Sequence, residues 1–272
     1  MMASESERRR ARQSLAWLLD MGADEIIAER ASNLLVAEEQ KKVEPRAQPA
    51  APARPASRLD PGERPIRSSS SDPPIGDAAA IAASCSSLAE LAAALRRFDA
   101  CPLQRTATNL VFADGNPQAR VMFIGEAPGR EEDEQGKPFV GRSGQLLDRM
   151  LAAIGLSRHS AEPASSAYIT NVIYWRPPGN RKPTEAETLM CMPFMLRSIE
   201  LARPEFILCL GATPTQRLLG LTDGILKTRG AWRDFRGKPV LPTLHPAYLL
   251  RQPAQKRLAW RDLLSLKRKL IA

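Results

Sequence analysis

The stretch VMFIGEAPGREEDEQGKPFVG, residues 121–141, is the most informative part of this sequence. Its apolar start predicts a buried strand that ends in a tight Gly-Glu-Ala-Pro-Gly turn at residues 125–129. Four acidic residues, 131–134, come next, and a second turn then carries one aromatic residue, Phe139. Ligands of open α/β sheets bind beyond the carboxyl ends of the strands, so a glycine-rich, acidic loop at this place indicates a functional site.

Other interpretations of the acidic run stay open on composition alone. A run of like charges is usually a solvated face, and residues 131–134 fit that description. The same carboxylates could also hold the metal ion of an unrelated nucleotide hydrolase. A phosphate loop does not fit, because the turn lacks the Gly-Lys-Ser/Thr ending of a Walker loop and Glu126 would repel phosphate.

Strands and helices alternate along the second part of the chain. The sequence pattern predicts strands at residues 120–124, 167–173, 206–210 and within 239–244, and helices at 88–98, 145–154, 185–201, 213–219 and 253–270. This alternation is typical of an α/β fold. We predict a three-layer α/β/α architecture with a central four-stranded, mainly parallel sheet.

The chain divides into three parts by composition. Residues 1–39 carry apolar side chains at nearly helical spacing, which predicts an N-terminal helical segment that docks on a partner or on the main domain. A marginal amphipathic helix with no dedicated role is the alternative. Residues 40–81 are rich in Pro, Ala and Ser and predict a disordered linker. The folded domain is expected to span residues 82–272.

The net charge of +9 is unevenly distributed. Residues 1–80 contain 12 basic and 13 acidic residues, so the basic excess belongs to the rest of the chain. A basic folded domain favours a polyanionic partner, most simply nucleic acid. A basic surface that only maintains solubility is the alternative interpretation.

No targeting or membrane signal is evident. No apolar run approaches membrane-spanning length, and the first residues lack the apolar core of a signal peptide. The four cysteines, Cys85, Cys101, Cys191 and Cys209, form no CxxC motif. We therefore expect a cytoplasmic, bacterial-type, nucleoid-associated protein without disulfides.

Polar side chains follow three of the predicted strands. Glu126 follows the first strand, Asn171 lies near the end of the second and is followed by Asn180, and His245 follows the last. Each residue alone is more simply explained as structural. Their joint position at the carboxyl edge of one parallel sheet, each before a Gly- or Pro-rich loop, favours a site.

With these residues assembled, the sequence resembles the family 4, thermophile-type uracil-DNA glycosylases. The matching segments are residues 125–129 (GEAPG), Glu132 with Asp133, 136–141 (GKPFVG), 168–172 (YITNV), 176–181 (RPPGNR) and 245–247 (HPA). The resemblance covers roughly residues 82–272 and leaves the first 80 outside. It implies a uracil-DNA glycosylase-like fold and a monofunctional enzyme of base-excision repair.

The resemblance assigns roles to the residues of the base pocket. Such an enzyme flips uracil out of the DNA and hydrolyses its N-glycosidic bond. Phe139 would stack on the base, and the amide of Asn171 would match the N3–H and O4 edge of uracil. Ala127 belongs to the same pocket, and the loop at 126–135 would exclude the methyl group of thymine.

Catalytic and DNA-contacting residues follow from the same resemblance. Glu132 or Glu126 would position water or stabilise the sugar cation, and His245 would stabilise the departing uracil anion. Asn180 would hold the water or a nearby phosphate. The expected DNA contacts are a wedge that includes Tyr248 and Leu249, and the phosphate-neutralising side chains of Arg251, Lys256 and Arg257.

The cysteine pattern departs from that of the family. Its members usually hold an iron–sulfur cluster on four cysteines, whereas here only Cys101 and Cys191 stand at ligand positions. Phe98 and Trp175 occupy the other two. Two thiolates do not hold a four-iron cluster of the usual kind, so we expect no cofactor and a buried apolar plug in its place.

We therefore predict a monomeric uracil-DNA glycosylase whose partner is uracil-containing DNA. A protein partner for the N-terminal segment is also expected, and no membrane contact. Two alternatives remain open: a non-catalytic module that binds uracil or damaged DNA, and a glycosylase that acts on other deaminated bases.

Overall fold

The computed structural model describes residues 74–271. The helical segment predicted for residues 1–39 and the linker up to residue 73 lie outside the described residues. The strands are β1 (Ala113–Gly115), β2 (Val121–Gly125), β3 (Ala167–Asn171), β4 (Phe206–Leu210), β5 (Arg233–Phe235) and β6 (Lys238–Thr243). The helices are α1 (Pro74–Ser84), α2 (Leu88–Arg97), α3 (Arg130–Gln135), α4 (Arg142–Ala153), α5 (Glu185–Ala202), α6 (Ala212–Leu219), α7 (Ile225–Thr228), α8 (Pro246–Arg251) and α9 (Lys256–Ile271).

The strands form one sheet in the order β1-β3-β2-β4-β6-β5. The four central strands are parallel, and β1 and β5 pair antiparallel at the two edges. The predicted α/β class and the four parallel strands are confirmed, but the count of four is too low. Each edge strand has only three residues, and neither is fully buried, so neither produces the apolar run that marks a central strand.

Two apolar layers enclose the sheet. Met122 and Ile124 of β2 face one layer, where they join a cluster with α1, α2 and α5. Val121 and Phe123 point to the other face and pack with α4 and α9. Alternate residues of a strand point to opposite faces, and all five residues of β2 are buried, as expected for a strand covered on both sides. The three-layer arrangement is thereby confirmed.

The folded part begins earlier than we expected. Helix α1 starts at Pro74, so residues 74–81 do not belong to a disordered linker. A proline is well tolerated in the first turn of a helix, and the alanines that follow are strong helix formers. Ala78 and Ala82 are buried in the cluster that includes α5. Arg197 of α5 also donates to the Cys85 carbonyl oxygen, at 3.0 Å from Nε and 2.7 Å from Nη2.

The register of the sheet brings the predicted strand ends together. Gly125 of β2 lies opposite Asn171 of β3, and Leu210 of β4 lies opposite Thr243 of β6. The chain segments that leave these strands therefore begin at one edge of the sheet. Within the described part of the chain, no helix is both long enough and apolar enough to cross a membrane.

Candidate active site

A cavity of about 590 Å³ opens at the carboxyl edge of the sheet. Nine of the predicted site residues line it: Glu126, Ala127, Glu132, Phe139, Asn171, Asn180, His245, Tyr248 and Arg251. They come from five separate segments of the chain. The parallel strands therefore bring together residues that are up to 125 positions apart in the sequence.

The close approach of Asn171 and Phe139 depends on the absence of a side chain at Gly125. A methyl group there would lie inside van der Waals distance of Asn171 Oδ1 and 2.6 Å from the ring of Phe139. Real Cβ atoms do not approach other atoms so closely. The amide and the aromatic ring can therefore meet over residue 125 only because that residue is glycine.

Asn171 presents an unsatisfied acceptor to this cavity. The residue is buried, and its Oδ1 has no hydrogen-bond partner. It is the only buried side-chain oxygen or nitrogen within residues 74–271 for which this is true. Burial without a partner is costly, and such atoms are usually explained by a ligand or a functional role.

The ring of Phe139 packs next to that of His245 in the lining of the cavity. The centroids of the two rings are 5.5 Å apart, and the ring planes are inclined by 30°. The backbone of Phe139 has a φ of +56°, in the left-handed region that phenylalanine rarely adopts. Asn180, on the rim of the cavity, has a φ of +55°. Backbone strain of this kind often collects at functional sites.

Glu126 is the carboxylate that reaches the cavity from the end of β2. Its side chain is half-buried, and Oε2 accepts a hydrogen bond from Thr213 Oγ1 at 2.7 Å. Thr213 belongs to α6, which follows Gly211 at the end of β4. The carboxylate is thus held in place by a neighbouring strand end while it remains open to the cavity.

Glu132 is bound instead by the backbone of its own loop. Its Oε1 accepts from the N–H groups of Val140 and Gly141, both at 3.0 Å, and its Oε2 accepts from Gly129 N–H at 3.1 Å. Only 8% of the residue is exposed. The three bonds join the two ends of the loop, so the geometry fits a structural carboxylate.

Asp133 also points inward. Its Oδ1 accepts from the N–H groups of Thr108 at 2.9 Å and Asn109 at 3.1 Å, while Glu131 and Glu134 are exposed. Along residues 74–271, no three His, Cys, Asp or Glu side chains are grouped so that they could hold a metal ion. The acidic run is therefore split between two buried backbone anchors and two solvated residues, and the metal-hydrolase alternative finds no support in this geometry.

His245 is held in one tautomer. Its Nδ1 accepts from Ala247 N–H at 3.1 Å, so the proton of the neutral ring is on Nε2. Burial lowers the pKa of His245 to about 4, and the positive charge of Arg251 contributes to the same direction. The ring is therefore a neutral hydrogen-bond donor at neutral pH.

The rim next to Asn180 carries cations. Asn180 is exposed, and its Oδ1 accepts from Arg176 Nε at 2.7 Å. Arg181 donates to both oxygens of Glu187, at 2.9 Å and 2.6 Å, and these hydrogen bonds lower the pKa of Glu187 to about 2. The Arg181–Glu187 pair anchors the rim to the first turn of α5.

The predicted wedge residues differ in exposure. Leu249 is 1% exposed and packs in a cluster with Leu146, Leu244 and Ala259, so in this structure it stabilises α8 and has almost no free surface. The next residue toward the N-terminus, Tyr248, lines the cavity and is partly exposed. The predicted phosphate contacts Arg251, Lys256 and Arg257 are all exposed.

Phe98, Trp175, Cys101 and Cys191 are buried in one apolar cluster. Phe98 is 4% and Trp175 is 2% exposed, and Phe98 packs against Phe194 with ring centroids 5.0 Å apart. Cys101 and Cys191 are fully buried. The interaction between the two neighbouring thiols lowers the pKa of Cys101 and, together with burial, raises that of Cys191.

Several lining residues were missed by sequence reasoning: Ser143, Arg181, Lys182, Gly211 and Ala212, together with Thr213 behind Glu126. The strand β4 ends at Leu210 and is followed by Gly211. Because ligands of open α/β sheets bind beyond the carboxyl ends of the strands, Gly211 and the residues after it could also have been predicted to lie at the site. The contact of Thr213 with Glu126 depends on the strand order and had no signal in the sequence.

Comparison with known proteins agrees with this geometry. The sequence model of the uracil DNA glycosylase superfamily matches residues 112–264. The chain is 44% identical over 159 residues to a type-4 uracil-DNA glycosylase of Thermotoga maritima, which covers 58% of this chain and 80% of that protein. It is 42% identical over 161 residues to the type-4 enzyme of Archaeoglobus fulgidus, with 56% and 78% covered.

A third relative extends further along the chain. The type-4 uracil-DNA glycosylase of Saccharolobus solfataricus is 40% identical over 182 residues, which are 64% of this chain and 82% of that protein. The family match spans more than half of the chain and contains all the strand ends that form the cavity. This chain therefore belongs to the uracil-DNA glycosylase superfamily.

Proposed function

We propose that this chain is a uracil-DNA glycosylase, which hydrolyses the bond between uracil and deoxyribose in DNA and leaves an abasic site for base-excision repair. The single observation that carries the proposal is the unpartnered Oδ1 of buried Asn171, next to the ring of Phe139. Support also comes from the relatives named as type-4 uracil-DNA glycosylases.

The amide of Asn171 matches the base-pairing edge of uracil. Its oxygen accepts the N3–H of uracil, and its nitrogen donates to O4. Cytosine presents an acceptor at N3 and an amino group at C4, so both contacts would be repulsive. A base that stacks on Phe139 brings this edge to Asn171, because ring and amide meet over Gly125. Ala127 and its loop would form the wall that excludes the thymine methyl.

The chemical step develops two charges. As the C1′–N1 bond breaks, uracil gains negative charge at O2 and the sugar gains positive charge. The Nε2–H of His245 donates to O2 from a fixed, neutral ring that needs no reorganisation. Glu126 orients the attacking water and stabilises the sugar cation, because its carboxylate is open to the cavity and is anchored by Thr213.

The rim of the cavity suits a DNA backbone. Arg251 and Lys182 line the opening, and Lys256 and Arg257 extend the positive surface at the start of α9. These side chains neutralise phosphates, while Tyr248 fills the gap left by the flipped base. One chain supplies every group in this mechanism, so we infer that the enzyme acts as a monomer in the compartment that holds the chromosome.

We further infer that this member of the family works without an iron–sulfur cluster. At the four ligand positions the chain has two thiols and two large aromatic side chains, all buried. The residues present do not fit a four-cysteine cluster. Packing of Phe98 on Phe194 would replace the structural role of the metal at this corner of the domain.

The recognition by Asn171 can be tested by replacement with alanine. We expect Asn171→Ala to lower the single-turnover rate of uracil release by on the order of 100-fold, since one preorganised polar contact is removed. The measurement uses an oligonucleotide with a single labelled uracil, in EDTA. Asn116→Ala, at an exposed turn hydrogen bond far from the cavity, is the matched control. Near-normal release by Asn171→Ala would refute this assignment.

Two different measurements should distinguish the roles of Glu126 and Glu132. Glu126→Gln should slow uracil release by about 100-fold with an unchanged free energy of unfolding. Glu132→Gln should lower that free energy by about 1–3 kcal/mol, because backbone N–H groups lose charge-assisted acceptors. Urea unfolding checks the second value, with Glu134→Gln, an exposed ion-pair residue, as the control. A stable Glu132→Gln protein would contradict the structural role.

The pH profile should reveal the neutral state of His245. A pKa lowered to about 4 means that the ring stays uncharged as the pH falls through 6.5 and gains a proton only near pH 4. We therefore expect no titration near 6.5 in single-turnover rates measured from pH 8 to pH 4. The exposed His159 provides the control variant, His159→Gln. A titration near 6.5 that disappears in His245→Gln would contradict the assignment.

The loss of the cluster is tested by metal analysis. Protein purified under anaerobic conditions should be colourless and contain no stoichiometric iron, and it should release uracil although no cluster is present. The double variant Phe98→Cys with Trp175→Cys restores the four-cysteine set and is the matched comparison. A brown wild-type protein with four irons per chain would overturn this part of the proposal.

A further inference from the structure

Arg158 is a buried cation outside the groups that the mechanism uses. Its side chain is only 3% exposed and lies in the segment after α4. Nε donates to Asp148 Oδ1 at 2.7 Å, and Nη1 donates to Asp114 Oδ2 at 3.1 Å. A buried arginine needs such partners, and these two carboxylates hold its guanidinium in a fixed orientation.

The same guanidinium also donates hydrogen bonds to the backbone next to the base pocket. Nη1 donates to the carbonyl oxygen of Pro138 and Nη2 to that of Phe139, both at 2.9 Å. Two consecutive carbonyl groups are thus bound by one planar fork. Lysine could not reproduce this geometry, because its ammonium is a point donor on a flexible chain.

Phe139 needs an external restraint at this point. Its left-handed backbone, with φ at +56°, is disfavoured for a residue with a bulky side chain. The other side of its carbonyl group packs on α4, where a Cβ atom at Gly144 would collide with the Phe139 oxygen. Arg158 and Gly144 therefore hold this carbonyl from two directions, and its position determines where the ring lies.

We propose that Arg158 is a positioning residue for uracil recognition: through the carbonyl groups of Pro138 and Phe139 it fixes the ring on which the base stacks. This inference rests on the proposed function, because it assigns to Phe139 the stacking role. Arg158 itself touches neither the cavity nor the base. Its effect should appear in the binding of the base and not in the binding of the DNA backbone.

The test compares Arg158→Lys with Arg120→Lys. Arg120 also pairs with a carboxylate, Glu205, and donates to the Leu270 carbonyl oxygen, but it lies just before β2, at the opposite edge of the sheet. Two constants are measured for each protein: inhibition by free uracil, and the Kd for a duplex with an abasic-site analogue.

For Arg158→Lys, the inhibition constant of uracil should rise by about tenfold or more, because a misplaced positioning group is costly. The Kd for the abasic duplex should change by less than about twofold, because the phosphate contacts are untouched. Arg120→Lys should change neither constant. Asp148→Asn removes one ion-pair partner of Arg158, at a side chain that is 42% exposed. It should raise the inhibition constant of uracil by a smaller factor, and it replaces Arg158→Lys in the test if that variant does not fold.

Folded variants at Arg158 and Asp148 with wild-type inhibition by uracil would overturn the positioning role and leave the glycosylase assignment intact. Equal losses in uracil and DNA binding would also overturn it, since they indicate general destabilisation. A wild-type protein that does not release uracil from DNA would overturn the proposed function itself, together with this inference.

Discussion

The base pocket depends on the close approach of two side chains over Gly125. Asn171 comes from the neighbouring strand, and Phe139 comes from a loop that leaves β2 and returns to it. Parallel pairing places Asn171 directly opposite Gly125, so the amide cannot move away without a change of register. The missing side chain at residue 125 leaves the space that the Phe139 ring and this amide occupy.

The loop that carries Phe139 is held by two buried carboxylates that accept hydrogen bonds from backbone N–H groups. Glu132 binds three backbone N–H groups at the two ends of the loop, and Asp133 binds two more in the segment before β1. Hydrogen bonds from backbone N–H groups to a buried carboxylate are stronger than those between neutral groups. The acidic run therefore contributes mainly to the shape of the cavity. Glu126 and Glu132 both line it, and Glu126 is the more exposed of the two.

Much of this arrangement could be predicted from the sequence. Apolar runs that end in glycine or a polar residue identified the four central strands, and their carboxyl ends correctly indicated the cavity. The edge strands were missed because three residues with partly exposed side chains have no recognisable period. The backbone contacts of Glu132 and the burial of Leu249 could not be predicted, because the direction of a side chain on a short helix depends on where that helix begins.

The start of the domain shows a similar limit. The proline and alanine content of residues 74–81 resembles that of the residues before them, whereas the packing of Ala78 and Ala82 in the core identifies this segment as part of the domain. Composition describes the average behaviour of a segment, whereas tertiary contacts decide its ends. The burial of Phe98 and Trp175, in contrast, agrees with the apolar plug expected from the sequence, because that expectation rests on residue identity at two positions.

The most direct test of this account is single-turnover uracil release by Gly125→Ala. Gly224→Ala is the control, since a methyl group there meets no atom within 4 Å and the residue is at a helix N-cap with negative φ. We expect Gly125→Ala to fold and to bind abasic DNA but to release uracil on the order of 100-fold more slowly, because the ring of Phe139 and the amide of Asn171 are pushed apart. Release at the rate of the Gly224→Ala protein would contradict the central role of this approach.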